Sequence, residues 1–550
     1  MIVVKELFYR KKILILIPHQ DDEINICGGI IKSLHDLKCE ITVAYSTNGD
    51  YSVPAYVRYK EARKSLKKLG LKNANIVLLG YSDQYSEETS HLYMTKDNNV
   101  WLSRNNRNKT YGVNNKCEFR MNINNNHSLF NYNNFVQDIT DLIKYEKSDV
   151  IFTIDFDSHP DHRALSLAFE KAMGIILNSN HNYHPLVYKS FAYPTSYFGV
   201  DDFHSKNIKS TSFKTEDNSQ FKMQNPYYNL SERVRFQVSK KNRNLFFPFN
   251  STFKALCSHK SQVIVEKAFS IINGDQVFWQ RSTDSLLYQS TISVSSGNPS
   301  YLNDFMYFDC KDIMNGRKKY AEYLNNYWKP SINDLEKRIK IILEKEEILD
   351  TLVIYQPCHI NDRIKKIEIY FDNTLYKEVE LFDSLKEKIK IDSKKSIKVI
   401  DIKITETSGN QAGISEIELF KENNKNIKFV KLTSGENFLY DYIYDKPISI
   451  NIYSYNGINS KKMKLSDFII ESNNIELSDN KLVLNGKKGN LKITLKNNHD
   501  ICDYITIRKN DFIINILNHI INLLNFLLVK YNVFYQKMIR KLKRIIKYYK

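Results

Sequence analysis

Ile13-Leu14-Ile15-Leu16-Ile17, running directly into Pro18-His19-Gln20-Asp21-Asp22-Glu23, decides how this chain is read. Five consecutive β-favouring apolar residues predict a strand buried on both faces, which is the habit of a parallel sheet. A second apolar run, Val150 to Ile154, precedes His159-Pro160-Asp161-His162 in the same way. Both histidine-carboxylate clusters therefore project from the carboxyl edge of one sheet, where open α/β sheets hold their ligands.

Around these runs the first ~200 residues alternate strand-like and helix-like segments, the pattern of an α/β fold with crossover helices. Glu40 to Tyr45 and Asn75 to Leu79 read as strands. Ile24 to Leu37, Tyr56 to Leu69, Phe135 to Lys147 and Arg163 to Leu177 read as helices. Polar stretches from Ser82 to about Asn126 and from about Ser205 to Asn244 read as insertions. After Trp328-Lys329-Pro330 the pattern changes to short alternating runs such as Ile339 to Leu343 and Val399 to Ile404, the signature of a β-sandwich. A second β-rich stretch follows from about Ile427 to Ile507. The fold class is thus a Rossmann-like, mostly parallel α/β domain followed by all-β domains and a C-terminal amphipathic helix. The expected boundaries are 1–325, 326–423, 424–510 and 511–550.

In the first cluster, His19 and Asp22 stand three apart where strand turns into helix, so both can converge on one ion. Asp21 points elsewhere, placed to take a proton from water beside that ion. In the second cluster, one of His159 and His162 can complete a three-ligand site and the other can face a substrate, as an oxyanion-stabilising or acid group. Taken singly, a His-x-x-Asp turn fits a helix cap and a surface imidazole equally well. Two such turns after strands of one α/β domain form the parts list of a metal-assisted hydrolase.

The two motifs resemble those of the PIG-L/LmbE family of zinc-dependent N-acetylglucosaminyl deacetylases, which carry a PHPDDE-like strand end and a later HPDH. The resemblance spans roughly residues 10 to 300. It extends to Ser46-Thr47-Asn48-Gly49-Asp50, Arg58 with Glu61-Ala62, Leu79-Gly80-Tyr81-Ser82-Asp83, Lys254-Ala255-Leu256 and His259-Lys260-Ser261-Gln262. It implies His19, Asp22 and His162 as ligands of Zn2+, with Fe2+ also compatible with these donors. It further implies Asp21 as general base, His159 as the oxyanion-stabilising or acid group, and Arg58 and Asp83 near the sugar. Gln20 departs from the family proline and removes no ligand. The segment Trp328 to Phe420, through its ending Ala412-Gly413-Ile414-Ser415-Glu416-Ile417-Glu418-Leu419-Phe420, is similar to discoidin-like sandwiches. That likeness implies either glycan contact or a packing role.

The implied reaction removes the acetyl group from an N-acetylated amino sugar on a glycan or glycolipid intermediate. Two rivals fit the same residues: a glycan-binding scaffold with a relic metal site, and a de-N-acylase of another amino-sugar conjugate. The net charge of +18 is no nucleic-acid signal. Seven of those charges lie from Lys537 to Lys550, and no nucleic-acid-binding motif accompanies the remainder. Seven unpaired cysteines and a start without an apolar leader imply a cytoplasmic protein. In the tail, Asn515, Asn518, Asn522 and Asn525 line one helical face while apolar residues cover the rest, ahead of a basic end. Such a helix suits peripheral contact with the inner membrane face, or docking on its own protein or in an oligomer.

Overall fold

The computed structural model describes residues 5–83, 99–113, 118–157, 159–192, 227, 234–307, 326–381, 385–421, 429–434, 437–439, 441–444, 446–455 and 460–548. Most of the insertion expected between 205 and 244 lies outside the described residues, as do 84–98 and 114–117 of the earlier one.

Seven strands form the first sheet: β1 (Lys12–Ile17), β2 (Glu40–Thr47), β3 (Asn75–Tyr81), β4 (Val150–Ile154), β5 (Leu186–Ser190), β6 (Val234–Gln237) and β7 (Asp275–Arg281). Their order is β3-β2-β1-β4-β5-β7-β6. The first five are parallel, and β7 runs antiparallel to both β5 and β6. Ile17 stands opposite Tyr45 and Leu16 opposite Thr153, so β1, β2 and β4 finish at one edge. From β1 the chain winds outward through β2 and β3, then returns to place β4 on the other side of β1. The crevice between β1 and β4 is therefore the topological switch point, where neighbouring loops diverge and leave room for a ligand. Both histidine clusters open from it.

The helix expected from Ile24 to Leu37 is two short helices, α1 (Asp22–Cys27) and α2 (Ile31–Asp36). The cause is tertiary. A Cβ at Gly29 would come within 2.5 Å of Val238 Cγ1, and the Gly29 amide donates to Gln276 Oε1. Longer helices α3 (Ala55–Leu69), α4 (Tyr132–Glu146) and α5 (Pro160–Ser179) flank the sheet.

Three apolar cores follow one another along the chain. The second belongs to a β-sandwich of a five-stranded and a three-stranded sheet. Its edge strand, β8 (Thr291–Val294), pairs with β9 (Arg338–Glu347) and so starts upstream of residue 326. Trp328 is fully buried there, bridged to Ile414, with its indole N–H donating to the Ser296 carbonyl at 2.9 Å. The third core lies among mostly antiparallel sheets between Phe429 and Lys509, with one parallel pair between Asp441–Tyr444 and Asn498–Lys509, and helix α6 (Phe512–Tyr548) follows.

α5 approaches the segment leading into the sandwich at Gly174, where a Cβ would lie 2.0 Å from the Asp304 carbonyl oxygen. Gly174→Ala should therefore lower stability by ~1–3 kcal/mol, the usual cost of overpacking, read as a fall in the thermal midpoint. An unchanged midpoint would mean that the Asp304 segment yields without cost.

Candidate metal centre

After Ile17 the chain turns sharply. The His19 amide donates to Asp22 Oδ2 at 3.0 Å, and α1 begins at Asp22 itself. Between them Asp21 has φ of 147°, a conformation that side-chain-bearing residues rarely adopt. Strain of that kind persists only where the surroundings enforce it, and here they do. Arg58, from α3, donates through Nη2 to the Gln20 carbonyl at 2.7 Å and to Asp21 Oδ1 at 3.2 Å. Gln20 donates through Nε2 to the Thr47 carbonyl at 2.9 Å. The Asp21 amide donates to Glu23 Oε2 at 2.9 Å, and the Glu23 carboxylate also accepts from Tyr45 Oη and His259 Nε2. Gly49 passes so close that a Cβ there would lie 2.3 Å from Gln20 Oε1, at φ of 60°.

The second turn arrives from β4. His159 caps α5, its Nδ1 accepting from the Asp161 amide at 3.2 Å, with Pro160 in the first helical turn. His162 then points back across the crevice. His19 Nδ1, Asp22 Oδ2 and His162 Nε2 form a nearly equilateral triangle with edges of 3.2, 3.3 and 3.4 Å. Ligand bonds of about 2.0–2.1 Å arranged tetrahedrally put donor atoms about 3.3 Å apart, so the three present one face of such a site. The outer nitrogens are also fixed. His162 Nδ1 lies 2.9 and 2.8 Å from the two oxygens of Asp157, and His19 Nε2 lies 3.2 Å from Asp161 Oδ2. A proton on each outer nitrogen leaves each inner nitrogen with its lone pair facing the triangle, the arrangement by which carboxylates orient metal-binding imidazoles. A divalent cation fits this donor set.

Two other groupings share the crevice: His19 with His159 and His162, and His19 with Asp83 and Asp161. The His19–Asp83 separation of 3.8 Å is wide of a tetrahedral edge. The ring of His159 sits 4.6 Å from those of both His19 and His162, beside the triangle.

The electrostatics of the site agree with its geometry. Burial works to strip protons from His19 and His162, yet the carboxylates override it. Asp83, Asp161 and Asp22 hold His19 well above the ordinary imidazole value, and Asp157 with Asp22 pushes His162 to about 9. Burial opposes the charge on Asp22, but the two imidazoles keep its carboxyl well below the usual range. His159 is held neutral, first by burial and then by its imidazole neighbours. Burial raises Asp21 despite Arg58. Burial also pushes Asp83 up to about 7, with Asp161 and Asp50 adding to it against His19 and Arg58.

Arg58 is buried in the turn it clamps, and Asp83 lies beside His19 with its amide bonded to Asp50 Oδ1 at 2.8 Å. Asp50 also accepts from Tyr111 Oη at 2.6 Å and Asn105 Nδ2 at 2.9 Å, forming the wall next to Asp83. Sequence reasoning gave no role to Asp157, Asp161 or Glu23. The only local signal for Asp157 was its place between the strand and His159. Glu61, which accepts from the Ser261 amide and hydroxyl, fixes the His259 segment below the Asp21 turn.

Residues 14–173 match the family model described as GlcNAc-PI de-N-acetylase, PIG-L. The matched stretch carries both histidine clusters and strands β1 to β4. Among solved structures, the chain is similar to the N,N'-diacetylchitobiose deacetylase of Pyrococcus horikoshii, with 16% identity and a TM-score of 0.27 over 51% of this chain and 89% of that one. It is also similar to the family 32 carbohydrate-binding module of Clostridium perfringens NanJ, with 20% identity and a TM-score of 0.20 over 24% of this chain and 95% of that one. No curated protein sequence matches the chain.

Asp157→Asn and Asp161→Asn should each weaken divalent-cation affinity by about 10–100-fold, measured by competition with a chromogenic chelator. Wild-type affinity in both variants would remove these carboxylates from the site. Because His162 holds its proton up to about 9, a cation must displace that proton to bind. Affinity should therefore rise with pH until that value, about tenfold per unit for each proton displaced, with proton release measurable by titration in weakly buffered solution.

Proposed function

We propose that the N-terminal α/β domain is a PIG-L-type, metal-dependent hydrolase that removes the acetyl group from an N-acetylated amino sugar of the N-acetylglucosamine type, carried on a glycan or glycolipid intermediate. The observation that carries this reading is the donor triangle of His19, Asp22 and His162 with the carboxylate of Asp21, held by Arg58 outside the triangle, in the same turn. The matched family description, GlcNAc-PI de-N-acetylase, supports the amide of an amino sugar as the bond broken.

A Zn2+ or Fe2+ ion held by His19, Asp22 and His162 would supply Lewis acidity, to water and to the acetamide carbonyl. Asp21 removes the proton from the attacking water. Its carboxylate is aimed by Arg58, and burial makes it a stronger base than a solvated aspartate. His159 faces the carbonyl oxygen. Because its Nδ1 accepts the Asp161 amide, its proton sits on Nε2, making the neutral ring a hydrogen-bond donor to the developing oxyanion. Asp21 then returns its proton to the departing nitrogen, and acetate and a free amine result. Arg58 acts in this scheme through Asp21, and Asp83, with the Asp50–Tyr111 wall, is placed to meet sugar hydroxyls. The discoidin-like sandwich is assigned glycan contact, and the protein a cytoplasmic location.

Acetate release from a panel of small N-acetylglucosamine derivatives tests this reading. Chelation should abolish release, and Zn2+ or Fe2+ should restore it. Asp21→Asn should lower kcat by about 10²–10⁴-fold while the metal content stays that of the wild type. Undiminished turnover in Asp21→Asn would sink the mechanism.

A further inference from the structure

Helix α6 is docked the wrong way round for a soluble protein. Three polar side chains face inward: Asn518, Asn525 and Gln536 are buried, beside Val529, while Ile513, Leu517, Leu523, Leu527 and Phe534 are more than half exposed. The inward contacts are specific. Asn525 accepts the Phe247 amide at 3.0 Å and donates to the Leu245 carbonyl at 2.7 Å, and Gln536 donates to the Leu256 carbonyl at 3.1 Å. The outward residues recur at helical spacing along Phe512–Leu542, a stretch apolar and long enough to cross a bilayer and only 17% buried in its most apolar window.

The charge beside this face is mostly positive, Glu61 being the one acid that lines the neighbouring cavity. After Asp511 the sequence contains no acid, whereas Lys530, Lys537, Arg540, Lys541, Lys543, Arg544, Lys547 and Lys550 all follow. A cavity of about 920 Å³ opens between α6, α3 and the helix Ser251–Leu256. Lys60, Lys64, Lys67, Lys68, Lys254 and Lys260 line it, and all six are exposed. Its apolar lining includes Val57, Phe253 and Leu528, the last contributed by α6 itself. An apolar strip leading into a lysine-rimmed, apolar-floored recess matches the surface of a bilayer containing anionic phospholipid: acyl chains against the strip, phosphate among the lysines.

We propose that the outward face of α6 lies in the plane of an anionic membrane, with the lysine cavity receiving a phospholipid head group. A spanning arrangement conflicts with the docking. The turns of α6 that hold Leu245, Phe247 and Leu256 lie inside the apolar stretch, so crossing would carry those loops, with Lys254 and Lys260, into hydrocarbon. In the plane of the interface, the same contacts stay on the protein side. This placement goes beyond the proposed reaction and uses none of its residues.

Co-sedimentation of the full chain with phosphatidylcholine vesicles, with and without phosphatidylglycerol, tests it. Binding is expected only with phosphatidylglycerol and should fall with added salt. Lys64→Gln, Lys67→Gln and Lys68→Gln combined should lower the partition coefficient on the order of 100-fold. Leu523→Glu with Leu527→Glu should abolish pelleting, and because both side chains are exposed the thermal midpoint should not move. In a Phe534→Trp chain the emission should shift to the blue on adding the anionic vesicles. Acetate release from a soluble substrate without vesicles should be unchanged in all these variants, which separates failure here from failure of the hydrolase reading. No binding to phosphatidylglycerol vesicles overturns the proposal. So does a dimer that Leu523→Glu with Leu527→Glu converts to monomer, since a second copy would then cover the face. Retention of the chain in membranes after an alkaline wash that releases peripheral proteins would replace it with a spanning helix.

Discussion

Four carboxylates, Asp22, Asp83, Asp157 and Asp161, crowd the two imidazoles of His19 and His162 at the carboxyl edge of the sheet, and the rest of the centre follows from that imbalance. Buried anions at such density require positive charge. The imidazoles supply it by holding protons against the pull of burial. A divalent cation answers the same field with more charge at one point. The strand order explains how the crowding arises: at the switch point the connections leaving β1 and β4 run in opposite directions, so polar side chains from two distant turns can meet there.

The Asp21 turn is the second constraint. A backbone in so unfavourable a conformation separates the side chains of Asp21 and Asp22, sending adjacent carboxylates in different directions. One joins the triangle and the other stays out of it. Glu23 makes that possible, since its carboxylate collects the Asp21 amide, the Tyr45 hydroxyl and the His259 ring nitrogen. His259 is 236 residues away from Glu23, so the Asp21 turn is held by a segment folded against it from the far end of the domain. Backbone strain of roughly 1–3 kcal/mol at Asp21 is offset by these bonds.

What the sequence revealed and what it hid divide along the same line. The strands, and the residues hanging from their ends, were legible because an apolar run and the turn after it are neighbours in the chain. The three donors of the triangle belong to such turns. Asp157 was not legible, because an aspartate two residues before a histidine has many ordinary uses and only the fold shows which nitrogen it meets. The break in the helix at Gly28-Gly29 was hidden for a related reason: its cause, Val238 and Gln276, arrives from strands β6 and β7 and the loop between them. Strand β8, four residues long and half exposed, carries too little pattern to be assigned to the sandwich rather than to the preceding domain.

Periodicity identified two faces on α6 but could not say which one meets protein. The structure docks a face that carries Asn518, Asn525 and Gln536 alongside Val529, and the polar part of that face has a physical consequence. An apolar docking face would be indifferent between protein and lipid, because acyl chains solvate leucine as well as a protein core does. Asn525 and Gln536 are not indifferent. Their amides satisfy backbone groups of the Leu245–Val265 segment, and hydrocarbon offers no replacement for those bonds. A helix attached through hydrogen bonds on one side and apolar on the other therefore keeps its grip on the N-terminal domain in water and in lipid alike, and so holds the domain at a fixed orientation to whatever apolar surface its outer face enters.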